Sequence, residues 1–368
     1  MSFFHASPAA HARYLATKRF PSLDGLRFLS ITPVIWHHAT PSPLPGLLGK
    51  GPVGVDLFFS LSGFLIATLL LREKSATGTI SARGFYARRA LRIFPLYYGT
   101  LALYTLRAAL FVPPSPPRAH FFESLPFFAT FTTNWLVDFS VPHPVMFAFA
   151  WSLAAEEQFY LLWPWVARAA RGWLFPASIA LLLLAADQAA EHGLLASVID
   201  PDSLAQRMLA SIATPIVLGV LLAQILHHPR SFSLASRLLG HRASAPLLLL
   251  LAIVMLAMDG APIALLQLTL ALLVGASAIR PDHGLAPLTA LPAVRFIGEI
   301  SYGMYMLHVS ALTLVKQLFP PDHRPTIAIF LLGFALTTLL AWLSHRYFER
   351  PFLRLADRFR AAAPSHAA

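Results

Sequence analysis

Ten apolar runs, near 24–43, 53–71, 94–113, 145–167, 172–188, 207–227, 243–258, 262–279, 296–317 and 326–345, fill most of the chain. At about 1.5 Å of helix per residue, most of them match the roughly 30 Å thickness of a bilayer's hydrocarbon core. A 368-residue chain that is 57% hydrophobic and only 12% charged, with a mean hydropathy of +0.62, is far too apolar for an ordinary soluble protein. The fold class expected is all-α: a polytopic membrane helix bundle of about ten transmembrane helices.

The basic residues set the orientation. With the N-terminus in the cytoplasm, the inside segments hold 21 of the 28 Lys and Arg residues. Outside or within spans remain Arg27, Lys50, Arg107, Arg118, Arg207, Lys316 and Arg324. This positive-inside bias places both termini in the cytoplasm. It also bears on the ambiguous segment 122–136, FESLPFFATFTTNWL, because counting that as a span would turn Arg168, Arg171 and the basic loop 228–242 outward. The segment is therefore expected to be an external or re-entrant element. The net charge of +11 is then a topology signal and gives no reason to expect a nucleic-acid partner.

Three stretches follow from this: a cytoplasmic N-terminal segment at 1–22, one transmembrane domain over 23–352, and a cytoplasmic tail at 353–368 that is expected to be disordered after Arg360. The first 22 residues carry Arg13, Lys18 and Arg19 without a small-residue cleavage site after them, so an uncleaved start is expected, not a signal peptide. Cysteine is absent, which excludes disulfides, thiolate metal sites and a cysteine nucleophile. No metal site is expected.

Titratable groups inside apolar segments are expensive, and so they are functional candidates by default. The first is DGLRFLSITPVIWHH at 24–38, where Arg27 and His38 are 11 residues apart. On a helix they lie within roughly 20° of one stripe and about 16 Å apart along the axis, whereas His37 points about 80° away. Next, GVDLFFSLSGFLI at 54–66 puts Asp56, Ser60, Ser62 and Gly63 at the start of the second span. Asp56 is placed either to orient His38 or to stay solvated at the loop; Ser62 and Gly63 suit close helix packing.

In FYARRALRIFPLYY at 85–98, Arg88, Arg89 and Arg92 stand at the threshold of the third span, with Arg89 and Arg92 neighbours at i and i+3. They read either as positive-inside anchors or as a clamp for a phosphorylated cytosolic ligand, since guanidinium forks bind phosphate bidentately. WSLAAEEQFYLLWPW at 151–165 sets Ser152, Glu156 and Tyr160 within about 80° of arc, with Glu157 facing elsewhere. GEISYGMYMLHVS at 298–310 aligns Ser301, Tyr305 and His308, and a lone histidine of this kind reads mainly as packing. After the tenth span, HRYFERPFLR at 345–354 reads as a local Glu349–Arg350 pair with a proline that stops the helix.

Together these segments resemble the acyltransferase 3 family, the membrane-bound acyltransferases that include bacterial O-antigen and exopolysaccharide O-acetyltransferases. The resemblance runs from about residue 20 to 352 and rests on SLDGLRFLS with Arg27 and His38, GVDLFFSLSGFLI, RRALRIFPLYY, WSLAAEEQFYLLWP, and ISYGMYMLH with the closing YFERPF. It implies that Arg27 and His38 are needed for activity, with His38 the catalytic residue. It also implies that Arg89 and Arg92 serve the acyl-CoA donor and that Ser152, Leu153, Glu156 and Tyr160 take part. Ser60 departs from the small apolar residue common there, and His37 adds a second imidazole. The additional C-terminal extracytoplasmic domain of some members is not expected here.

The resulting expectation is an O-acyltransferase that takes an acyl group, acetyl first among them, from acyl-CoA on the cytoplasmic side to a glycan or glycolipid hydroxyl outside. Hydroxyl attack on a thioester needs a base, and an imidazole withdrawn from water favours the neutral form that accepts a proton. His38 is expected to be that base; Arg27 stabilises developing charge or binds donor phosphate, and Glu156 orients His38 or the acceptor. Arg88 joins Arg89 and Arg92 at the donor, while Asp56, Ser152 and Tyr160 support the site. A lipid or a small secondary metabolite is the alternative acceptor. A secondary transporter for a small anion or sugar is the rival from another class, against which stand the lack of a two-fold repeat of broken helices and a basic cluster on one side only.

Overall fold

A computed structural model describes residues 8–40, 49–139, 146–320 and 325–359, and every regular element among them is helical. In chain order these are α1 (Pro8–Ala16), α2 (Pro21–Ala39), α3 (Val53–Thr77), α4 (Ala82–Phe111), α5 (Pro116–Ala129), α6 (Thr133–Leu136), α7 (Ala150–Ala169), α8 (Leu174–Glu191) and α9 (Leu204–Leu209). They continue with α10 (Thr214–His227), α11 (Pro229–Leu239), α12 (Ser244–Ala257), α13 (Ile263–Ile279), α14 (Ala286–Thr289), α15 (Pro292–Lys316), α16 (Thr326–Leu343) and α17 (Arg350–Asp357). The tail after Arg360, expected to be disordered, lies outside the described residues.

Among the described residues, three helical stretches are long and apolar enough to cross a membrane: Val53–Thr77, Leu174–Glu191 and the continuous run Thr326–Asp357. α11 and α12 meet at a 68° bend, and α10 and α13 are shorter apolar helices. The other long helices carry the polar residues singled out above. α2 holds Asp24 and Arg27, α4 its arginines, α7 two glutamates, and α15 Arg295, Glu299 and Lys316. Those groups lower the average hydropathy of helices that are otherwise apolar.

Three boundaries differ from expectation for local reasons. The run 207–227 is not one helix: it breaks at 210–213 and restarts just ahead of Pro215, because the residue before a proline avoids the helical region while proline itself fits a first turn. α4 begins at Ala82, twelve residues before the apolar run, so the basic stretch is part of one 30-residue helix. Its start is fixed by the Ser81 hydroxyl, which accepts from the Gly84 N–H at 3.1 Å. Pro351 does not stop the last helix. A π-helical stretch, Ser344–Glu349, precedes it and puts Pro351 in the first turn of α17, where its missing N–H leaves no bond unmade.

The chain forms two compact units. The first comprises Met1–Ser75 and Pro215–Arg346. Within it α2 packs on α14, α15 and α16. Backbones approach closely where glycine allows: a Cβ on Gly298 of α15 would lie 1.8 Å from the Asp24 carbonyl oxygen of α2. Gly63 on α3 and Gly219 on α10 make a reciprocal contact of the same kind, the close packing expected of Gly63, since added Cβ atoms would sit 2.0 Å from Ile216 O and 2.3 Å from Ser60 O. α1 is docked through Tyr14, which is 4% exposed, and through Arg72, which donates to Thr17 O at 2.5 Å and Tyr14 O at 2.8 Å.

The second unit comprises Ala76–Thr214 and Tyr347–Ala368. The ambiguous segment 122–136 falls in it as the end of α5, a turn, and α6. The turn carries Phe131 in the left-handed region at φ 54°, a strained conformation for a bulky residue. Stacking on Tyr97 at 4.4 Å holds it there, while Tyr97 and Tyr98 donate from their hydroxyls to Phe128 O and Ala129 O. α5 has 14 residues and so extends about 21 Å, short of a bilayer's hydrocarbon core.

Candidate active site

Each unit gathers part of the expected site. In the first, α2 carries Arg27 and His38 on one stripe. The His38 ring is half-buried, and its Nδ1 lies 3.0 Å from the carbonyl oxygen of Val34, one turn back. A carbonyl only accepts, so Nδ1 carries the proton, and in the neutral ring the lone pair is on Nε2. The same rule applies to His308 on α15, whose Nδ1 lies 2.6 Å from Tyr305 O. The two imidazoles meet edge to face with centroids 4.7 Å apart, and His37 lies edge-on to His38 at 5.2 Å. Lys316, at the end of α15, donates to the His38 carbonyl oxygen at 2.7 Å, placing a cation on the C-terminal carbonyls of α2, where the helix dipole favours it.

His308 is 0% exposed and packs against the ring expected to do the chemistry. Sequence alone could not pair residues 270 positions apart; the available signal was the stripe shared by Ser301, Tyr305 and His308.

At the other end of α2, Arg27 donates to Asp24 at 2.9 Å. Asp24 also accepts from Arg19, through Nε at 3.1 Å and Nη2 at 3.0 Å, and Arg19 bridges on to Glu299 of α15. The Asp24 side chain is 8% exposed and that of Arg27 24%, so the arginine sits in a local charge cluster that offsets much of its cost in an apolar helix. Asp24 was missed although its i, i+3 spacing to Arg27 is a legible signal. Asp56 accepts from Gln267 of α13 at 3.2 Å, a partner neither alternative for it had named.

In the second unit, α4 and α7 bring Arg89 over the ring of Tyr160, with the guanidinium carbon 3.9 Å from the centroid. Such a contact contributes about 0.5–2 kcal/mol and holds the guanidinium flat. The Arg89 Nε is buried without a hydrogen-bond partner among the described residues. Glu157, which the helical spacing set apart from the Ser152–Glu156–Tyr160 stripe, interacts electrostatically with Arg89, with Glu156, and with Tyr97 and Tyr98. Ser152 is buried and donates to Phe149 O at 3.2 Å; Leu153 is also buried. Arg88 donates to Phe359 O at 2.5 Å, beyond the end of α17, and Arg92 is exposed one turn after Arg89.

Comparison with known proteins agrees with the motifs. The family described as an acyltransferase domain matches residues 20–346. A provisionally named O-acetyltransferase of Staphylococcus aureus (strain COL) is 27% identical over 370 residues, covering 92% of this chain and 58% of the relative. A peptidoglycan O-acetyltransferase of Listeria monocytogenes is 28% identical over 363 residues, covering 91% and 56%. A provisionally named peptidoglycan O-acetyltransferase of Bacillus subtilis (strain 168) is 33% identical over 161 residues, covering 42% of this chain and 24% of the relative. The chain thus spans little more than half the length of the relatives that it matches across most of its own. No solved structure matches the chain significantly. The family match over 20–346, laid on a helical fold that carries the Arg27–His38 stripe and the Arg89–Tyr160 contact, means that this chain belongs to the acyltransferase 3 family.

Proposed function

We propose that this chain is a multi-pass protein of the bacterial inner membrane that moves an acyl group, acetyl first among them, from cytosolic acyl-CoA to a hydroxyl of an extracytoplasmic glycan. The relatives named for peptidoglycan and for O-acetyl transfer support an envelope glycan as acceptor, with lipopolysaccharide and exopolysaccharide in the same class. The observation that carries the reading is the state of His38: with Nδ1 committed to Val34 O, Nε2 is the basic atom.

In this scheme Nε2 takes the proton from the acceptor hydroxyl as its oxygen bonds to the thioester carbonyl carbon. The carbon–sulfur bond then breaks, and the departing CoA sulfur recovers the proton from the imidazolium. His308 and the Val34 carbonyl hold the ring. Arg27 is about 16 Å from His38 along the helix, too far to polarise a carbonyl that His38 serves, so its task is the anionic part of the donor or the integrity of the cluster around Asp24. Arg89 and Arg92 bind donor phosphate, Tyr160 keeps Arg89 flat, and Arg88 anchors the same face. Glu156 and Ser152 act on α7 in the same reaction, and Asp56 supports the first unit.

Transfer of radiolabel from acetyl-CoA in membranes expressing the chain tests this. Label is expected in a glycan fraction with the wild type and nowhere with His38→Ala at equal protein level. Substrate-dependent release of the free CoA thiol excludes a transporter. A His38→Ala variant of near-normal activity overturns the assignment, and label in lipid or small molecules moves the acceptor to that class.

A further inference from the structure

α11 differs in build from the helices around it. It has 11 residues, about 16 Å of helix, and meets the uncharged α12 at 68°, so it does not lengthen that apolar helix into a straight span. At 100° per residue it has three faces. Phe232, Ala235 and Leu239 share about 60° of arc, and this face is spent on the protein. Phe232 is 1% exposed, with its ring 4.8 Å from His11 and 5.4 Å from Tyr14 of α1, and Leu239 reaches α13 beside Gly275.

The second face is formed by Leu234 and Leu238, 60% and 70% exposed. The third is formed by Arg230 and Arg237, within about 20° of each other and about 70° from the leucine pair, turned away from the buried face. Both arginines are exposed, and neither makes an ion pair among the described residues. Their basic neighbours are committed elsewhere. Hydrogen bonds from Arg280 and Arg242 hold the Asp282 carboxyl down at about 2, and Arg280 also donates to Gly240 O at 2.9 Å.

An exposed leucine stripe beside an unpaired arginine stripe, on a helix lying across the start of an apolar one, matches the chemistry of the headgroup boundary: acyl chains on one side, phosphate on the other. We propose that α11 is an interfacial helix that binds acidic phospholipid headgroups through Arg230 and Arg237 while Leu234 and Leu238 enter the acyl region. The net charge of that face selects acidic over zwitterionic lipid. The inference rests on the membrane placement proposed above and not on the transfer chemistry.

The chain has no cysteine, so single labels are unambiguous. The full-length Leu234→Cys protein, carrying an environment-sensitive fluorophore, is reconstituted into phosphatidylcholine vesicles containing brominated phosphatidylglycerol or brominated phosphatidylcholine. Quenching is expected to be strongest from bromine near the headgroup end of the chain and to favour phosphatidylglycerol. That preference is expected to fall roughly fivefold for each of Arg230→Gln and Arg237→Gln. A label at Leu332→Cys on α16 is the control, since Leu332 is 47% exposed in the middle of an apolar helix. A water-exposed or centrally quenched label at residue 234, or equal quenching by the two lipids, with Leu332 quenched from the bilayer interior, overturns the interfacial helix alone. An unquenched Leu332 label overturns the membrane placement and this inference with it.

Discussion

His38 is held from three directions, two of them by side chains that can be replaced singly. The Val34 carbonyl fixes the tautomer, Lys316 holds the backbone oxygen, and the His308 ring limits how far the imidazole tilts. His308→Phe keeps an aromatic edge against His38 but loses the hydrogen bond to Tyr305 O. The expected result is a fall in kcat of about 10- to 100-fold with the KM for the donor unchanged, because only the orientation of the proposed base is disturbed; steady-state kinetics on both substrates would show it. A rise in donor KM instead would assign His308 to binding. Asp24→Asn removes the charge that Arg19 and Arg27 share. With Asp24 nearly buried and Arg19 largely exposed, the expected loss is about 1–3 kcal/mol, read as a lower thermal midpoint in detergent. At this scale the sequence could deliver His38 by its position on a stripe and Asp24 by its spacing to Arg27. It could not deliver Lys316 or His308, which depend on how α15 docks against α2, nor Glu157 beside Arg89, since helical phase alone does not say which neighbour each face meets.

Helices were legible where apolarity ran uninterrupted, as in α3, α12, α13 and α16, and their limits were legible where the chemistry was local. They were misplaced where two signals competed. In α4 the charged residues hid helix that Ser81 caps, and at 210–213 an apolar run hid a break set by Pro215. How elements pack was written in single glycines without being readable from them, because a glycine in a sequence does not name the backbone that approaches it. Gly298→Leu should separate α15 from the Asp24 carbonyl of α2 and destabilise the protein by about 1–3 kcal/mol or more. Gly172→Leu, where an added Cβ meets nothing within 4 Å, is expected to be silent. Thermal unfolding of the two variants side by side checks the pair, and activity of Gly298→Leu is expected to fall with stability because α15 also carries His308 and Lys316.

For the whole molecule, the distribution of 21 of 28 basic residues fixes an orientation only if 122–136 does not cross the membrane. The 14 residues of α5 and the left-handed turn at Phe131 argue against a crossing, since neither a short helix nor irregular backbone spans lipid on its own. The consequence is a parity that can be measured. Lys50, Asp200 and Asp259 are exposed in loops expected outside, and Ser75 and Arg230 are exposed at ends expected inside. Single cysteines at Lys50, Asp200 and Asp259 are expected to react with an impermeant maleimide in intact cells. Cysteines at Ser75 and Arg230 should react only after permeabilisation. If 122–136 spans, the parity reverses after it: Asp200 and Asp259 become protected, Arg230 becomes accessible, and Lys50 and Ser75 stay as they were. The reversed pattern would put α7 and its Ser152–Glu156–Tyr160 stripe in the opposite orientation, and the proposed cytosolic donor would then have to be bound by Arg89 and Arg92 without the same end of α7 facing the cytoplasm. The unreversed pattern leaves the arginine threshold of α4 and the C-terminal end of α7 on one side, as the proposed entry of the donor from the cytosol requires.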